Sequence, residues 1–161
     1  MPVLMNLQPT IPGESQITGY ANWHALTFFA WGGTRVMRSQ SAGSARGQAQ
    51  IWTPQVRNVT VHRLADGQTA AVWTALYNRT QFPKVTIEWV RTGDGEPVSY
   101  FTVEMKSARM VSVRDNSTGS HPIEEIEFLY TDITLGTRNV GNRLTGAQDL
   151  VTYSVPKHAG G

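Results

Sequence analysis

No cysteine occurs among the 161 residues, which excludes a disulfide framework, a thiolate metal site and a cysteine nucleophile. Nor does any unbroken apolar run approach the roughly 18 residues that a membrane-spanning helix requires. Met1 to Pro12 lacks the basic start and long apolar middle of a secretory signal. A cytoplasmic origin, with no cleaved signal peptide and no membrane anchoring, is therefore expected. Three Asn-x-Ser/Thr tripeptides, at Asn58, Asn78 and Asn116, then read as chance matches. Charge is sparse as well: 16% of residues carry it, and fourteen basic against twelve acidic side chains leave +2. The basic residues are scattered, so nucleic acid is not implied as a partner.

What the chain does carry is strand signal. With 40% hydrophobic residues it is of one-domain size, and a single domain over residues 1–161 with a substantial core is expected. Val85 to Arg91 alternates, with Val85, Ile87 and Trp89 on one face and Thr86 and Glu88 on the other. Thr92 to Pro97 is turn chemistry, so a hairpin follows. Its second arm, Ser99 to Arg114, sets Phe101, Val103, Met105, Val111 and Val113 against Tyr100, Thr102, Glu104, Lys106 and Ser112. Such length suits a barrel or sandwich. Ile123 to Leu135 is a further strand, with Ile126, Phe128 and Tyr130 on one face and Leu129, Ile133 and Leu135 on the other. Weaker strands are expected near residues 48–52, 57–64 and 150–155. Only one helix is predicted, Ala70 to Asn78, with Val72, Trp73, Leu76 and Tyr77 along one face after the capping residues Asp66 to Thr69. Too short to persist alone, it must dock on a sheet.

Leu26 to Trp31 (Leu-Thr-Phe-Phe-Ala-Trp) is too apolar for a half-solvated strand, and a polar tract from Thr34 to Gly47, long for a hairpin, follows it. Apolar residues on both faces of this strand and of 123–135 leave surface over once a core is filled, which marks an interaction site.

Catalytic patterns are weak. His24, His62, His121 and His158 stand far apart without a ligand motif. Gly43-Ser44-Ala45-Arg46-Gly47 has its serine in the second position and no strand-to-helix turn around it. In Glu124-Glu125-Ile126-Glu127, alternation sends Glu125 and Glu127 to one face, where carboxylates are solvated or paired with arginine. Gly93-Asp94-Gly95 joins two strands and so is a turn, not a phosphate cradle. The tryptophans lie in separate segments at apolar positions, which favours core packing over base stacking.

In order and spacing the chain resembles the haemolysin-coregulated protein (Hcp) family, the tube subunits of bacterial type VI secretion. The resemblance rests on Gly13-Glu14-Ser15, the strand ending in Ala30-Trp31-Gly32, and the long Gly/Ser loop. It continues through the Asp66–Asn78 helix and Phe82-Pro83-Lys84-Val85-Thr86-Ile87 leading into a hairpin, and spans nearly the whole chain. Phe29 stands where many members carry tryptophan, and Ala30 where a small polar residue is common. The resemblance implies a mainly β protein: a compact β-barrel or sandwich with one short α-helix at its side, assembling into a hexameric ring. Rings would stack into a tube ejected by a contracting sheath, with tip, sheath and effector proteins as partners, no enzymatic activity and no cofactor. On this reading Leu26, Phe28 and Ala30 face the lumen, opposite Thr27, Phe29 and Trp31. Leu129, Ile133 and Leu135 form a subunit interface, and Arg35, Arg38 and Arg46 serve a ring-stacking loop. The alternatives are a monomeric β-barrel that binds a ligand or nucleic acid, and a phage-like tail-tube protein.

Overall fold

Side chains that alternate along most of a chain are buried either by packing two sheets face to face or by rolling strands around a common interior, and here the strands roll. The computed structural model describes residues 1–35, 37–38, 50–51, 55–93, 95–138 and 149–155. In chain order its elements are β1 (Val3–Gln8), β2 (His24–Ala30), β3 (Gly33–Thr34), β4 (Met37–Arg38), β5 (Gln50–Ile51), β6 (Gln55–Val56) and β7 (Val59–Leu64). Helix α1 (Thr69–Tyr77) follows, then β8 (Gln81–Arg91), β9 (Val98–Asn116), β10 (Ile123–Leu129), β11 (Asp132–Thr137) and β12 (Asp149–Ser154).

The main sheet runs β10-β7-β2-β1-β8-β9-β11-β12, and β9 pairs with β10 as well. That second pairing closes β9, β10, β7, β2, β1 and β8 into a barrel and leaves β11 and β12 as a flange. It is possible because β9 is 19 residues long. One edge of β9 pairs with β8; the other holds β11 opposite residues 101–106 and β10 opposite residues 109–116. Among the described residues the structure is thus mainly β with one short helix, as the sequence predicts.

Simple alternation fails at several places, and besides the slip of β8 on β9 at Trp89/Val90, three of them move predicted residues. In β9 the buried residues run Val103, Met105, then Ala108, Met110, then Val113. The first change of phase falls at Ser107, whose φ of 51° lies in the left-handed region; the second is a register slip against β10 at Glu127/Phe128. Val111, expected inside, is therefore exposed. Opposite Ser107, where β10 hands over to β11, the Thr131 amide and hydroxyl both donate to the Lys106 carbonyl, at 3.0 and 3.1 Å. The predicted strand 123–135 is consequently two strands with different inward phases. Ile126, Phe128 and Tyr130 are buried as expected, but Ile133 joins them with 1% exposure, while Leu129 points outward. The third place is β2, where Leu26 pairs with Arg63 and Phe28 with His62, so Thr27 is an extra residue. Leu26, expected on the open side, is 8% exposed and belongs to the core.

Strand β1 escaped the sequence reading. Leu4, Met5 and Leu7 are all buried, so no period of two is visible there. Met5 and Leu7 enter the barrel core. Leu4 faces the other way, and its cross-strand partner Glu88 accepts a 2.7 Å hydrogen bond from Tyr20 of the following loop. That loop folds back through Gly13 and Ser15, whose amides donate to Asn22 and Trp23 carbonyls at 2.6 and 3.0 Å. Any Cβ at Gly13 would collide with the Trp23 backbone.

Helix α1 packs on β9, burying Val72 and Ala75, with Trp73 and Leu76 partly covered. Trp73 Nε1 also donates to Asp115 Oδ2 at 2.7 Å. Tyr77, expected on the packed face, is exposed; at about 3.6 residues per turn it lies well around the helix from Val72.

A serine at positive φ carries strain that glycine does not. Ser107→Gly is expected to raise stability by up to about 1 kcal/mol in urea unfolding, and Ser107→Val, with its branched Cβ, to lower it by about 1–3 kcal/mol. The opposite ordering would show that the turn of phase at Ser107 is not set by its backbone.

Candidate assembly surfaces

Once the barrel is filled, apolar side chains remain outside it on three strand groups. On the outer face of β2 and β7, Phe28 is 46% exposed and stacks on His62, with ring centroids 4.4 Å apart and planes at 27°. His62 Nε2 lies 3.1 Å from Glu125 Oε2, and Asn58 Nδ2 donates to Glu127 Oε1 at 2.7 Å. Glu125 and Glu127 thus share an outer face, as alternation requires. Ala30, half-buried, is cross-strand from Thr60 on this face. Of the residues expected to line a lumen, Phe28 and Ala30 are brought together and Leu26 is not.

On the outer face of β10 and β9, Leu129 is 49% exposed. Its cross-strand partner Arg109 donates to Gln81 Oε1 at 3.2 Å. Val111 is exposed on the adjoining stretch of β9. Leu135 lies on the flange and packs partly against the core, whereas Ile133 is enclosed and offers no surface. The third group is β12, the last strand of the sheet order, where Leu150 and Val151 are exposed.

The tract after β2 leaves the barrel as a pair of legs: Gly33 and Thr34 of β3 pair with Val56 and Gln55 of β6. Farther out, β4 pairs with β5. Arg35 is exposed at the start of this excursion. The Arg38 side chain and the whole of Arg46 lie outside the described residues.

Beneath the Phe28 face is a buried charge cluster. Arg63 and Glu124 face each other across β7 and β10 and are almost fully enclosed. Arg63 Nε donates to Glu124 Oε1 at 2.7 Å, and its Nη1 lies 2.9 Å from Asp66 Oδ1. The same Nη1 is 3.4 Å from His24 Nδ1, while His24 Nε2 is 2.6 Å from the Ile11 carbonyl. The pattern requires a neutral imidazole that donates from Nε2 and accepts at Nδ1. Burial, and then the Arg63 charge, hold His24 below the usual histidine range. Burial pushes the Glu124 carboxyl up, against the pull of Arg63. The signal for this cluster was in the sequence. Arg63 shares the inward phase of Val59 and Val61, and Glu124 that of Ile126 and Phe128.

Among the described residues no group of three or more histidines and carboxylates is placed to hold a metal, and no helix is long and apolar enough to cross a membrane.

Residues 4–136 match the family described as "Type VI secretion system effector, Hcp". No curated protein matches the chain. Among solved structures, a type VI secretion system effector from Yersinia pestis superposes with a TM-score of 0.73 at 16% identity, covering 95% of this chain and 99% of that one. A structure described as a type six secretion system protein gives 0.79 at 18% identity, over 96% and 95%. Hcp1 from Salmonella typhimurium gives 0.72 at 12% identity, over 95% and 93%. At these identities the likeness establishes a shared fold.

Acid should act on this chain through His24. Its folded-state proton affinity is lowered, so the unfolded chain binds more protons and stability falls as pH drops below about 6.5. Glu124, with raised affinity, contributes with the opposite sign as pH falls through its raised folded-state range. The thermal midpoint is expected to fall between pH 7.5 and 5.5, and His24→Gln to flatten that fall while lowering the midpoint at neutral pH. An equally steep fall in the variant would exclude His24 as the source.

Proposed function

The chain belongs to the Hcp family of type VI secretion, and on that premise we propose that it is a structural subunit of the inner tube. Its single domain, residues 1–161, closes into rings of six that stack, and the tube carries effectors in its lumen or on its tip. The observation that carries this reading is the set of apolar side chains left outside a filled barrel: Phe28, Val111, Leu129, Leu150 and Val151. They lie on four strands, β2, β9, β10 and β12. A head-to-tail ring needs two different complementary patches on each subunit, and separated patches supply them.

In this proposal Leu129 and Leu135 belong to the subunit interface, Phe28 and Ala30 line the lumen, and Arg35, Arg38 and Arg46 act between stacked rings. Sheath, tip and effector proteins are the partners. The role is mechanical, with no catalytic residue assigned, and export proceeds with the tube.

Light scattering on the purified protein tests the ring directly: a particle six times the 17.8 kDa chain supports it, and a monomer would overturn it. Leu129→Asp should break the ring, since burying an unpaired carboxylate costs several kcal/mol. It should leave the isolated subunit folded, because Leu129 is half-solvated there. Ile133→Asp should instead unfold the subunit. Intact rings from Leu129→Asp would move the interface elsewhere.

Stacking is expected to depend on the loop. Deleting Ser39 to Arg46 should leave the ring and its thermal midpoint nearly unchanged while abolishing tubes in electron micrographs. Raising salt from 0.1 to 1 M, which shortens screening from about 10 to about 3 Å, should weaken stacking if the arginines pair with carboxylates. Loss of the folded subunit on deletion would refute the assignment.

A further inference from the structure

We propose that Tyr130 is a positioning residue that aims the loop legs, through a hydrogen-bonded clamp joining both legs to the barrel wall. The inference rests on the tube reading for its consequence, the alignment of stacked rings, and on geometry for its existence. Tyr130 is buried, at the junction of β10 and β11. Its hydroxyl accepts from Trp31 Nε1 at 2.6 Å and donates to the Arg57 carbonyl at 2.8 Å. Trp31 is the first residue after β2, and Arg57 the last but one before β7. One hydroxyl therefore grips the outgoing and the returning leg where they leave the barrel. The Arg57 amide adds a 2.8 Å bond to the Gly32 carbonyl, and the ladder of β3 and β6 continues from there.

Packing alone does not set this direction. A cleft of about 300 Å³ lies beside the legs, bordered by Trp31, Thr34, Arg57 and Thr60. The legs thus stand partly clear of the wall, with Val56 and Trp31 packed against the core, and directed bonds at the root add to their angle what that packing leaves open. A buried hydroxyl is costly unless bonded, so a tyrosine here is poorly explained by core filling, for which phenylalanine would serve. Burial also pushes the Tyr130 phenol upward, past what the Trp31 N–H takes back, so the proton donated to Arg57 is retained.

The test is hydrogen–deuterium exchange on full-length Tyr130→Phe rings, followed by micrographs of tubes. Amides of residues 32–34 and 55–57 should exchange roughly tenfold faster, as loss of two buried hydrogen bonds predicts, with β8 unchanged. Tubes should shorten or vanish while rings persist. Trp31→Phe, which removes only one bond, should give an intermediate effect and guards against misfolding of the first variant. Unchanged exchange at the legs in both variants would overturn the clamp. Faster exchange with normal tubes would overturn its role in stacking. Wild-type rings that never stack would sink the tube reading and its consequence here, while the exchange data would still decide the clamp.

Discussion

Closure of the barrel depends on β9 having partners along both edges at once. A six-strand roll needs one strand that meets β8 on one side and β10 on the other, and 19 residues provide that reach with length left over for β11. Backbone groups that would otherwise form a free edge on β10 are satisfied, and among the described residues β12 is left as the open edge of the main sheet. The flange of β11 and β12 exists only because β9 extends beyond the span covered by β10. Its outer strand carries Leu150 and Val151 in the open.

Closure bends strands, and bending is absorbed at few residues. Ser107, the slip beside Val111 and the extra Thr27 each move side chains to the other face, because a one-residue change inverts a period of two. The pattern of exposed apolar residues follows from these inversions. They enclose Leu26 and Ile133 and expose Phe28 and Val111. The apolar exterior proposed for assembly is thus a by-product of the way the barrel turns its corners.

The Arg63 cluster spans the same wall. It ties β7 to β10 through Glu124, to the helix entrance through Asp66, and to β2 through His24. Removing one partner would strand a buried charge, a loss of about 3–5 kcal/mol in comparable pairs. Paired apolar replacements would not carry that penalty, so the cluster is costly to break without being a large source of net stability. Tyr130 plays a related part at another corner, joining Trp31 and Arg57 through one hydroxyl.

The β class, the hairpin joining β8 and β9, the helix and the strands at 59–64 and 149–154 were determined by the sequence itself, since side-chain period and turn chemistry are local properties. Family membership was legible in the order of short motifs, and the structure gives one of them a cause in the tight approach of Gly13 to Trp23. Strand β1 was hidden because both its faces are covered, which erases alternation. The inward phases of Arg63 and Glu124 were visible but uninterpretable without knowing that their strands pair. Only the tertiary structure decided which apolar residues are core and which remain for a partner. Burial depends on what lies across from a side chain, and at Thr27, Ser107 and Val111 that is set by strand closure, not by local pattern.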